Sequence, residues 1–332
     1  MKFLERIAKV VLAMVMAALL WRPGRRSRAA RSLVARGRRR VLVVRIDNRV
    51  GEALLTTPLF DALAAAGHEV HLLTHPKMRR VLAGHPSLTK LHDWERSLTV
   101  LRALRAERFD VVINCGNWAE PAVTSSLVSR LINGVVLGPE NFPSGWLMDV
   151  PVAPRSDTQS EFIQRAHLGS PLVKVPDQPR LSFKPTEPFS VVEGRYAVIN
   201  PGGRLGWRRV PPERFAEAAH SLAKRGVTPV VTWGPGEETL VDAVCAACSQ
   251  AVRAPPTSID QLAALMRGAV VTVCNNTGPM HLSVAVGCKT LALFLHMDVA
   301  RWGHDYAPHQ MVDLTNATDA TALIDAAVER AC

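Results

Sequence analysis

Residues 270–286, V-V-T-V-C-N-N-T-G-P-M-H-L-S-V-A-V, combine the end of a strand, a tight turn and the start of a helix. Residues 270–274 form a mostly β-branched run typical of a buried strand, and helical periodicity begins at Gly278. The first N–H groups of a helix have no partner within it, so this turn, with the Thr277 hydroxyl, is a candidate anion site. His281, one turn into the helix, can donate to a phosphate or to an oxyanion, although a single histidine on a helix is more often structural. The stretch therefore predicts an α/β fold with an anion site at the turn.

The same order of strand, loop and helix is repeated along the chain. A proline-rich stretch at residues 171–193 interrupts the repeats and is the best linker candidate. The predicted strands cover residues 40–45, 68–74, 88–92, 109–114, 196–200, 227–233, 270–274 and 289–294. The predicted helices cover residues 51–65, 76–83, 96–108, 212–225, 258–266 and 278–286. Such repeats give parallel sheets covered by helices, so we predict two Rossmann-like domains, 41–185 and 194–332, that face a cleft.

The excess positive charge of the chain is confined to its beginning. The 332 residues carry a formal net charge of +11, and residues 1–40 alone hold twelve cations and one acid. From Val41 onward, 28 cations meet 28 acids, so the rest of the chain is neutral. A core that binds nucleic-acid phosphates needs cations on its folded surface, and this distribution therefore weighs against one.

An apolar run precedes most of these cations. Val10–Trp21 contains twelve consecutive apolar residues, and nine arginines follow between Arg22 and Arg40. An apolar helix with a cationic flank is typical of attachment to the cytoplasmic side of an anionic membrane. The run is shorter than the ~20 residues that cross a bilayer, so it predicts a helix lying in the membrane surface. The alternatives are a helix docked on the protein itself and a cleaved signal peptide. We also expect a chain lacking residues 1–40 to fold and to remain soluble.

The six cysteines are scattered along the chain and predict reduced thiols in a cytosolic protein. Cys245 and Cys248 form a C-x-x-C within a helical pattern, but no second pair is present to complete a zinc site. The sequence therefore predicts neither a metal nor another cofactor.

A second loop with charged side chains follows the first predicted strand. Residues 45–58 place Glu52 in the first turn of a helix. A carboxylate there can act as a general base, or it can merely complement the helix dipole.

A third loop, at residues 200–215, begins with N-P-G-G. Glycines such as Gly203 allow backbone N–H groups to approach a ligand closely, which makes Gly203 a candidate binding residue. Arg204, Arg208 and Arg209 follow and predict a diphosphate clamp, with a solvated basic loop as the alternative. The chain has no G-x-G-x-x-G and no G-x-x-x-x-G-K-[ST], which disfavours classical NAD enzymes and P-loop NTPases.

In their order along the chain, these loops resemble the motifs of glycosyltransferase family 9, the lipopolysaccharide heptosyltransferases, from about Val41 to His309. The family's Gly-Asp-x-x-x-x-Thr-Pro loop is matched by G-E at 51–52 and T-P at 57–58, and its Lys-x-Trp-Pro loop by R-R-V-P at 208–211. Its Asp-(Thr/Ser)-Gly-x-x-His motif is matched by N-T-G-P-M-H at 276–281. Residues 294–304 resemble a downstream Phe-Gly…Trp-x-Pro region.

The resemblance implies a GT-B fold and an inverting glycosyltransferase. Its donor would be a nucleotide-diphosphate sugar (ADP-heptose-like), and its acceptor a lipid-linked or envelope saccharide. The resemblance implies that Glu52 is the catalytic base and that Arg208 contacts a phosphate. An acid after the strand at 227–233 is expected at the nucleoside ribose, where Glu238 is the closer match and Glu237 the near alternative. The rest of the implied donor site is Asn276, Thr277, Gly278 and His281.

All three charged motif positions differ from the family pattern, with Glu52 for Asp, Arg208 for Lys and Asn276 for Asp. Glu52 adds a methylene, Arg208 keeps the charge in another geometry, and Asn276 loses a charge beside the anion site. The changes point to a divergent donor or acceptor, or to a weakened enzyme that binds a nucleotide sugar as a scaffold in a glycan-assembly complex. A nucleotide-sugar epimerase of similar architecture is a third possibility.

Overall fold

The computed structural model describes residues 2–20, 23–34, 37–116, 118–119 and 122–332. Trp21, Arg22 and Arg36, which belong to the predicted apolar and arginine-rich segments, lie outside the described residues. The chain divides into two compact units. The first unit runs up to residue 49 and continues over 55–179, and the second comprises 50–54 and 180–332.

The first unit contains a parallel six-stranded sheet. Its strands are β1 (Arg40–Arg45), β2 (Glu69–Thr74), β3 (Lys90–Asp93), β4 (Val111–Asn114), β5 (Val135–Pro139) and β6 (Val150–Val152). They lie in the order β3-β2-β1-β4-β5-β6. The four central residues of β1 are all buried, as expected for an apolar strand covered by helices on both faces. This is the Rossmann order, and it reverses between β1 and β4, where such folds bind ligands.

Eight helices lie between residues 2 and 167 of the described chain. They are α1 (Lys2–Leu19), α2 (Arg25–Val34), α3 (Val50–Leu54), α4 (Thr57–Ala65), α5 (Pro76–Leu82), α6 (Leu98–Ala106), α7 (Val123–Leu131) and α8 (Glu161–His167). The single helix predicted over 51–65 is therefore two helices, α3 and α4. Pro58 explains the break, because it has no N–H to donate to the carbonyl of Leu54 and its ring would clash there. The break leaves α3 free to pack with the second unit.

Helix α1 is docked on the first unit through one of its faces. Ala13 is fully buried, and Met16 and Ala17 pack against the core beneath α7. Just after α1, Arg25 Nη2 donates to Asp149 Oδ2 over 2.6 Å, and the Asp149 side chain is almost completely buried. Deleting residues 1–40 would uncover this core and leave Asp149 without its closest cation. The deletion should therefore lower the free energy of unfolding, and that the shortened chain still folds and remains soluble stays a prediction.

The opposite face of α1 is apolar and exposed to solvent. It carries Ile7, Val11, Leu12, Met14, Val15 and Leu19. Helix α1 thus has two apolar faces, of which only one is covered by described residues. Within the described part of the chain, no helix is both long and apolar enough to cross a membrane.

A pair of histidines lies in the first unit, on β2 and β3. His71 Nδ1 lies 3.0 Å from His92 Nε2, and His71 Nε2 lies 2.9 Å from Glu69 Oε1. Burial, together with His71 and Lys90, lowers the pKa of His92 from 6.5 to about 4. At a pH between these two pKa values, the unfolded chain therefore binds a proton at His92 that the folded chain does not bind.

We expect the stability of the protein to fall as the pH is lowered from about 6.5 towards 4. The folded protein accommodates the neutral form of His92. The contribution of His92 to the free energy of unfolding is therefore complete above the ordinary histidine pKa and is lost as the pH falls below it. Replacing His92 with Phe should make the unfolding temperature less dependent on pH. Across this range, we expect it to fall by about 2–4 °C less in the variant than in wild type. Thermal unfolding followed by circular dichroism at pH 7, 6, 5 and 4 measures the effect. If the unfolding temperature changed equally with pH in both proteins, the result would contradict this expectation.

The second unit also contains a parallel six-stranded sheet. Its strands are β7 (Tyr196–Asn200), β8 (Thr228–Val231), β9 (Val252–Arg253), β10 (Thr272–Asn275), β11 (Thr290–Phe294) and β12 (Gln310–Asp313). Its later helices are α9 (Pro212–Lys224), α10 (Glu238–Ala247), α11 (Ile259–Gly268), α12 (Gly278–Ala285), α13 (Val299–Trp302) and α14 (Ala320–Ala331). The order β12-β11-β10-β7-β8-β9 repeats that of the first unit, and it reverses between β7 and β10. The predicted α/β class with parallel sheets is confirmed.

Candidate functional site

The loops that follow β7 and β10 lie side by side where the strand order of the second unit reverses. Asn275, the last residue of β10, is buried and joins them. Its Oδ1 accepts from Val210 N at 2.9 Å, and its Nδ2 donates to Pro201 O at 2.8 Å. Parallel sheets bind ligands outside the carboxyl ends of their strands at such a point. The glycine-rich loop and the predicted anion turn therefore form one candidate site.

The glycine-rich loop is held by the carboxylate of Glu237. Glu237 Oε1 accepts from Gly203 N at 2.7 Å, and Oε2 accepts from Gly234 N at 2.9 Å. A Cβ at Gly202 would lie 1.9 Å from Glu237 Oε2, and one at Gly203 would lie 2.9 Å from Thr277 Cγ2. The glycines are therefore required for close packing of the loop. The Gly203 N–H is bonded to Glu237 in this structure rather than directed at a ligand.

The turn into α12 leaves one buried side-chain donor without a partner in the part of the chain that the structure describes. The Thr277 hydroxyl donates to Asn275 O at 3.3 Å, and no side chain caps the helix. Asn276 is only 6% exposed, and its Nδ2 has no hydrogen-bond partner among the described residues. A buried amide donor without a partner costs about 1–3 kcal/mol, so a ligand oxygen at this position would stabilise it. The turn has the chemistry of an anion site.

The His281 imidazole lies between this turn and α3. Its Nδ1 is 2.8 Å from His304 Nε2. Its opposite edge faces Gly51, where a Cβ would come within 2.9 Å of His281 Cδ2. Glu52, the next residue of α3, is half-buried in the first turn of that helix. The structure thus brings α3, which carries Glu52, against the helix that carries Gly278 and His281.

The predicted clamp of three arginines is not formed as a group. Arg204 is exposed, and the Arg209 guanidinium donates to Gly203 O within its own loop. Arg208 is half-buried, with Nη1 3.9 Å from Met297 Sδ. Arg208 is therefore the better of the three candidates for a phosphate contact. Glu238 opens α10 and is half-buried there.

A second candidate site lies in the first unit, at the carboxyl ends of β1 to β3. A cavity of about 540 Å³ opens there, and it is lined in part by Asp47, His75, Trp94, Glu95, Arg96 and Ser125. An indole face with carboxylate, imidazole and hydroxyl groups around it suits a ligand rich in hydroxyl groups. The sequence analysis missed this site. The available signal was the position of His75 and Trp94, each directly after a strand.

Comparisons with known proteins find similar sequences and similar two-domain structures. The model of glycosyltransferase family 9 (heptosyltransferase) matches residues 97–322. Lipopolysaccharide heptosyltransferase 3 of Escherichia coli K12 is 22% identical over 281 residues, which cover 76% of this chain and 81% of that protein. The solved structure of E. coli heptosyltransferase WaaC with ADP is similar at a TM-score of 0.72 and 19% identity, over 88% of this chain and 99% of that one.

A family 9 glycosyltransferase from Veillonella parvula is similar at a TM-score of 0.71 and 20% identity, over 83% of this chain and 86% of that one. These likenesses confirm the predicted GT-B fold. The family model covers more than half of the chain. The protein therefore belongs to glycosyltransferase family 9, the heptosyltransferases, and is a glycosyltransferase.

Proposed function

We propose that this glycosyltransferase transfers a heptose-like sugar, with inversion, from a nucleoside-diphosphate donor to a lipid-linked or envelope saccharide. The observation that carries the proposal is the buried Asn276 Nδ2 without a partner at the uncapped turn into α12. Both features favour an anionic ligand beside α3. The WaaC structure that resembles this chain contains ADP, which supports a nucleotide of that class.

In the proposed reaction, the Glu52 carboxylate takes a proton from the acceptor hydroxyl as its oxygen attacks the anomeric carbon. A single displacement from the face opposite the leaving group inverts that carbon. The departing diphosphate is stabilised by Arg208 and by the turn at Thr277, Gly278 and His281, which are in place before the reaction. Glu238 is the proposed partner of the nucleoside ribose.

The proposed acceptor site is the cavity of the first unit. Trp94 supplies an apolar face for a sugar ring, and Asp47 and Glu95 supply acceptors for its hydroxyl groups. Arg96 adds a cation on the same wall, which suits an acceptor that carries phosphate or carboxylate groups. This set of side chains is consistent with a charged envelope saccharide.

We also propose that the enzyme is peripheral to the cytoplasmic face of the inner membrane and binds that anionic surface through α1. The exposed apolar face of α1 has no partner among the described residues. Arg26, Arg28 and Arg31 are exposed on α2, directly after it. An apolar helix face next to cations is the combination that binds anionic bilayers. A lipid-linked acceptor would be presented at the same surface.

The reaction is tested by incubating the full chain with a panel of nucleotide sugars, including ADP-heptose, and a lipid-linked saccharide. Nucleotide release that requires the acceptor, with an inverted anomeric carbon in the product, supports the proposal. Tight nucleotide binding without release indicates the scaffold alternative. Conversion of the donor sugar without an acceptor indicates an epimerase.

Replacing Asn276 with Asp, the family's residue, tests the anion turn. We expect binding of ADP to weaken about tenfold, because a carboxylate adds a negative charge next to the phosphates. Adenosine binding should be unchanged, and calorimetry with both ligands measures the two affinities. ADP binding as tight as in wild type would contradict this expectation, and a several-fold rise in turnover would show that Asn276 weakens the enzyme.

A further inference from the structure

A small cavity lies in the first unit, where the end of α1, the start of α2 and the loop before β6 meet. It measures about 220 Å³, and its charged lining residues are three arginines, Arg25, Arg26 and Arg130, and one acid, Asp149. A water molecule occupies ~30 Å³ of liquid, so the cavity has room for a group several times larger. Three guanidinium groups face one carboxylate among the described lining residues, and this excess of positive charge favours an anion.

The carboxylate of Asp149 is already engaged by other donors. Its Oδ1 lies 2.5 Å from Arg25 Nη2, and its Oδ2 accepts from Val136 N at 2.9 Å. Arg130 Nη1 lies 3.8 Å from the same Oδ2, which is close enough for an ion pair but too far for a hydrogen bond. Asp149 therefore neutralises Arg25 and leaves the N–H donors of Arg130 to another partner.

Arg130 is mostly buried, yet its guanidinium donates no hydrogen bond to the described part of the chain. Its side chain is only 13% exposed and belongs to the last turn of α7. A cation there complements the dipole of the helix, but this does not provide acceptors for the N–H groups of a guanidinium. Buried charges are normally both paired and hydrogen-bonded. A phosphate would meet this need, because it can accept two parallel hydrogen bonds from one arginine.

Trp146 connects the cavity with the protein surface. It lines the cavity and is 45% exposed, so the wall that it forms reaches solvent. Phe142 is 60% exposed and packs edge-on against Trp146, with the ring centroids 5.0 Å apart. Leu20, which directly follows α1, lines the same cavity. Exposed aromatic rings beside arginines are typical of the membrane interface, where acyl chains adjoin phosphates.

We propose that this cavity binds the phosphate of an anionic lipid through Arg130 and Arg26, with the acyl chains lying on Trp146 and the exposed face of α1. Arg26 is exposed, and its Nη2 donates to Gly145 O at 3.3 Å, which holds it beside the cavity. The lipid as the source of the phosphate rests on the proposed membrane attachment, whereas the phosphate site does not. A bound headgroup would fix which side of the first unit faces the bilayer.

Calorimetry of the full chain with dihexanoyl phosphatidic acid, a water-soluble lipid, tests the site. We expect Arg130→Gln to weaken binding at least about tenfold, the usual loss when a hydrogen bond to a charged group is removed. Arg102→Gln is the control, because it removes the same charge from an exposed position on α6. Solvent screening should keep its effect below about twofold. Equal losses in both variants would overturn the proposal.

Thermal unfolding of the same variants tests the helix-dipole alternative. A lower unfolding temperature in Arg130→Gln with unchanged lipid binding would mean that Arg130 only complements the dipole of α7, and the proposal would fail. Arg26→Gln keeps the test decisive if Arg130→Gln does not fold, because Arg26 is exposed. It should weaken lipid binding about threefold, since an exposed charge contact contributes less than a buried one. Wild-type affinity in Arg26→Gln would also count against the site.

Inorganic phosphate distinguishes a lipid from a soluble phosphate as the ligand. It should bind to wild type at least about tenfold more weakly than the lipid, because it has no acyl chains to cover Trp146. Equal affinities would overturn the assignment to a lipid. Protein that binds the short-chain lipid but not phosphatidylglycerol vesicles would contradict the proposed membrane attachment alone. Protein that binds the vesicles but not the short-chain lipid would overturn the cavity as the phosphate site.

Discussion

Replacing Glu52 with Gln should lower the rate of sugar transfer by a factor of about 10²–10⁴, the usual contribution of a general base. The change removes the proton acceptor and almost no volume. Donor affinity should therefore stay within about twofold of wild type, because the diphosphate contacts of our proposal lie on Arg208 and α12. Turnover measured with saturating donor, together with calorimetric binding of ADP, separates the two effects.

Glu213→Gln is the matched control for Glu52. Glu213 is also an acid in the first turn of a helix, at the start of α9. If Glu52 only complements the dipole of α3, both changes should produce similar small losses of stability and leave turnover intact. Near-wild-type turnover in Glu52→Gln would end the assignment of Glu52 as the base. Loss of ADP binding in that variant would instead indicate a structural role.

Replacing both Val11 and Val15 with Glu should reduce binding to anionic liposomes by at least about tenfold, because two charges are placed on the apolar face that we propose enters the bilayer. Both side chains are about half exposed, so the docked face of α1 and the fold should be retained. Co-sedimentation with vesicles containing phosphatidylglycerol, compared with pure phosphatidylcholine, measures the change. Transfer to a water-soluble acceptor analogue should be unaffected.

Leu323→Glu provides the control for this experiment. Leu323 is an exposed leucine on α14 of the second unit, so the variant adds a charge to an apolar surface position far along the chain from α1. It should bind liposomes like wild type. Equal losses in both proteins would mean that added charge alone causes the effect. Unchanged binding in the Val11 and Val15 variant would show that the exposed face of α1 is not the membrane contact.

Most of the central strands, though not β5, could be predicted from sequence because burial on both faces demands short apolar runs. β1, β7 and β11 were predicted with bounds within one residue of the observed ones. β6 and β12 are edge strands of three and four residues with partly exposed positions, so their pattern resembles that of loops. The last helix, α14, was also missed. Its apolar positions are mostly alanines, which give a weak periodic signal.

The anion turn and the helix of Glu52 could be placed because each directly follows a strand. The contacts that hold these elements in place could not be predicted from the sequence. Glu237 bonds two backbone N–H groups of loops that are separated by about thirty residues, and Asn275 connects two strands that are neighbours only in the folded sheet. The same limit applied to α1. An apolar run does not tell which face packs against the protein and which stays exposed.

The tight contact at Gly51 has a consequence for how this chain could diverge. Against the family pattern, the charged positions 52, 208 and 276 have all changed, whereas the glycine before Glu52 has not. A methyl group at position 51 would sit 2.9 Å from the His281 ring and would push α3 away from α12. Substitution of Gly51 by alanine would therefore disturb the site through volume alone, without altering any of its charges.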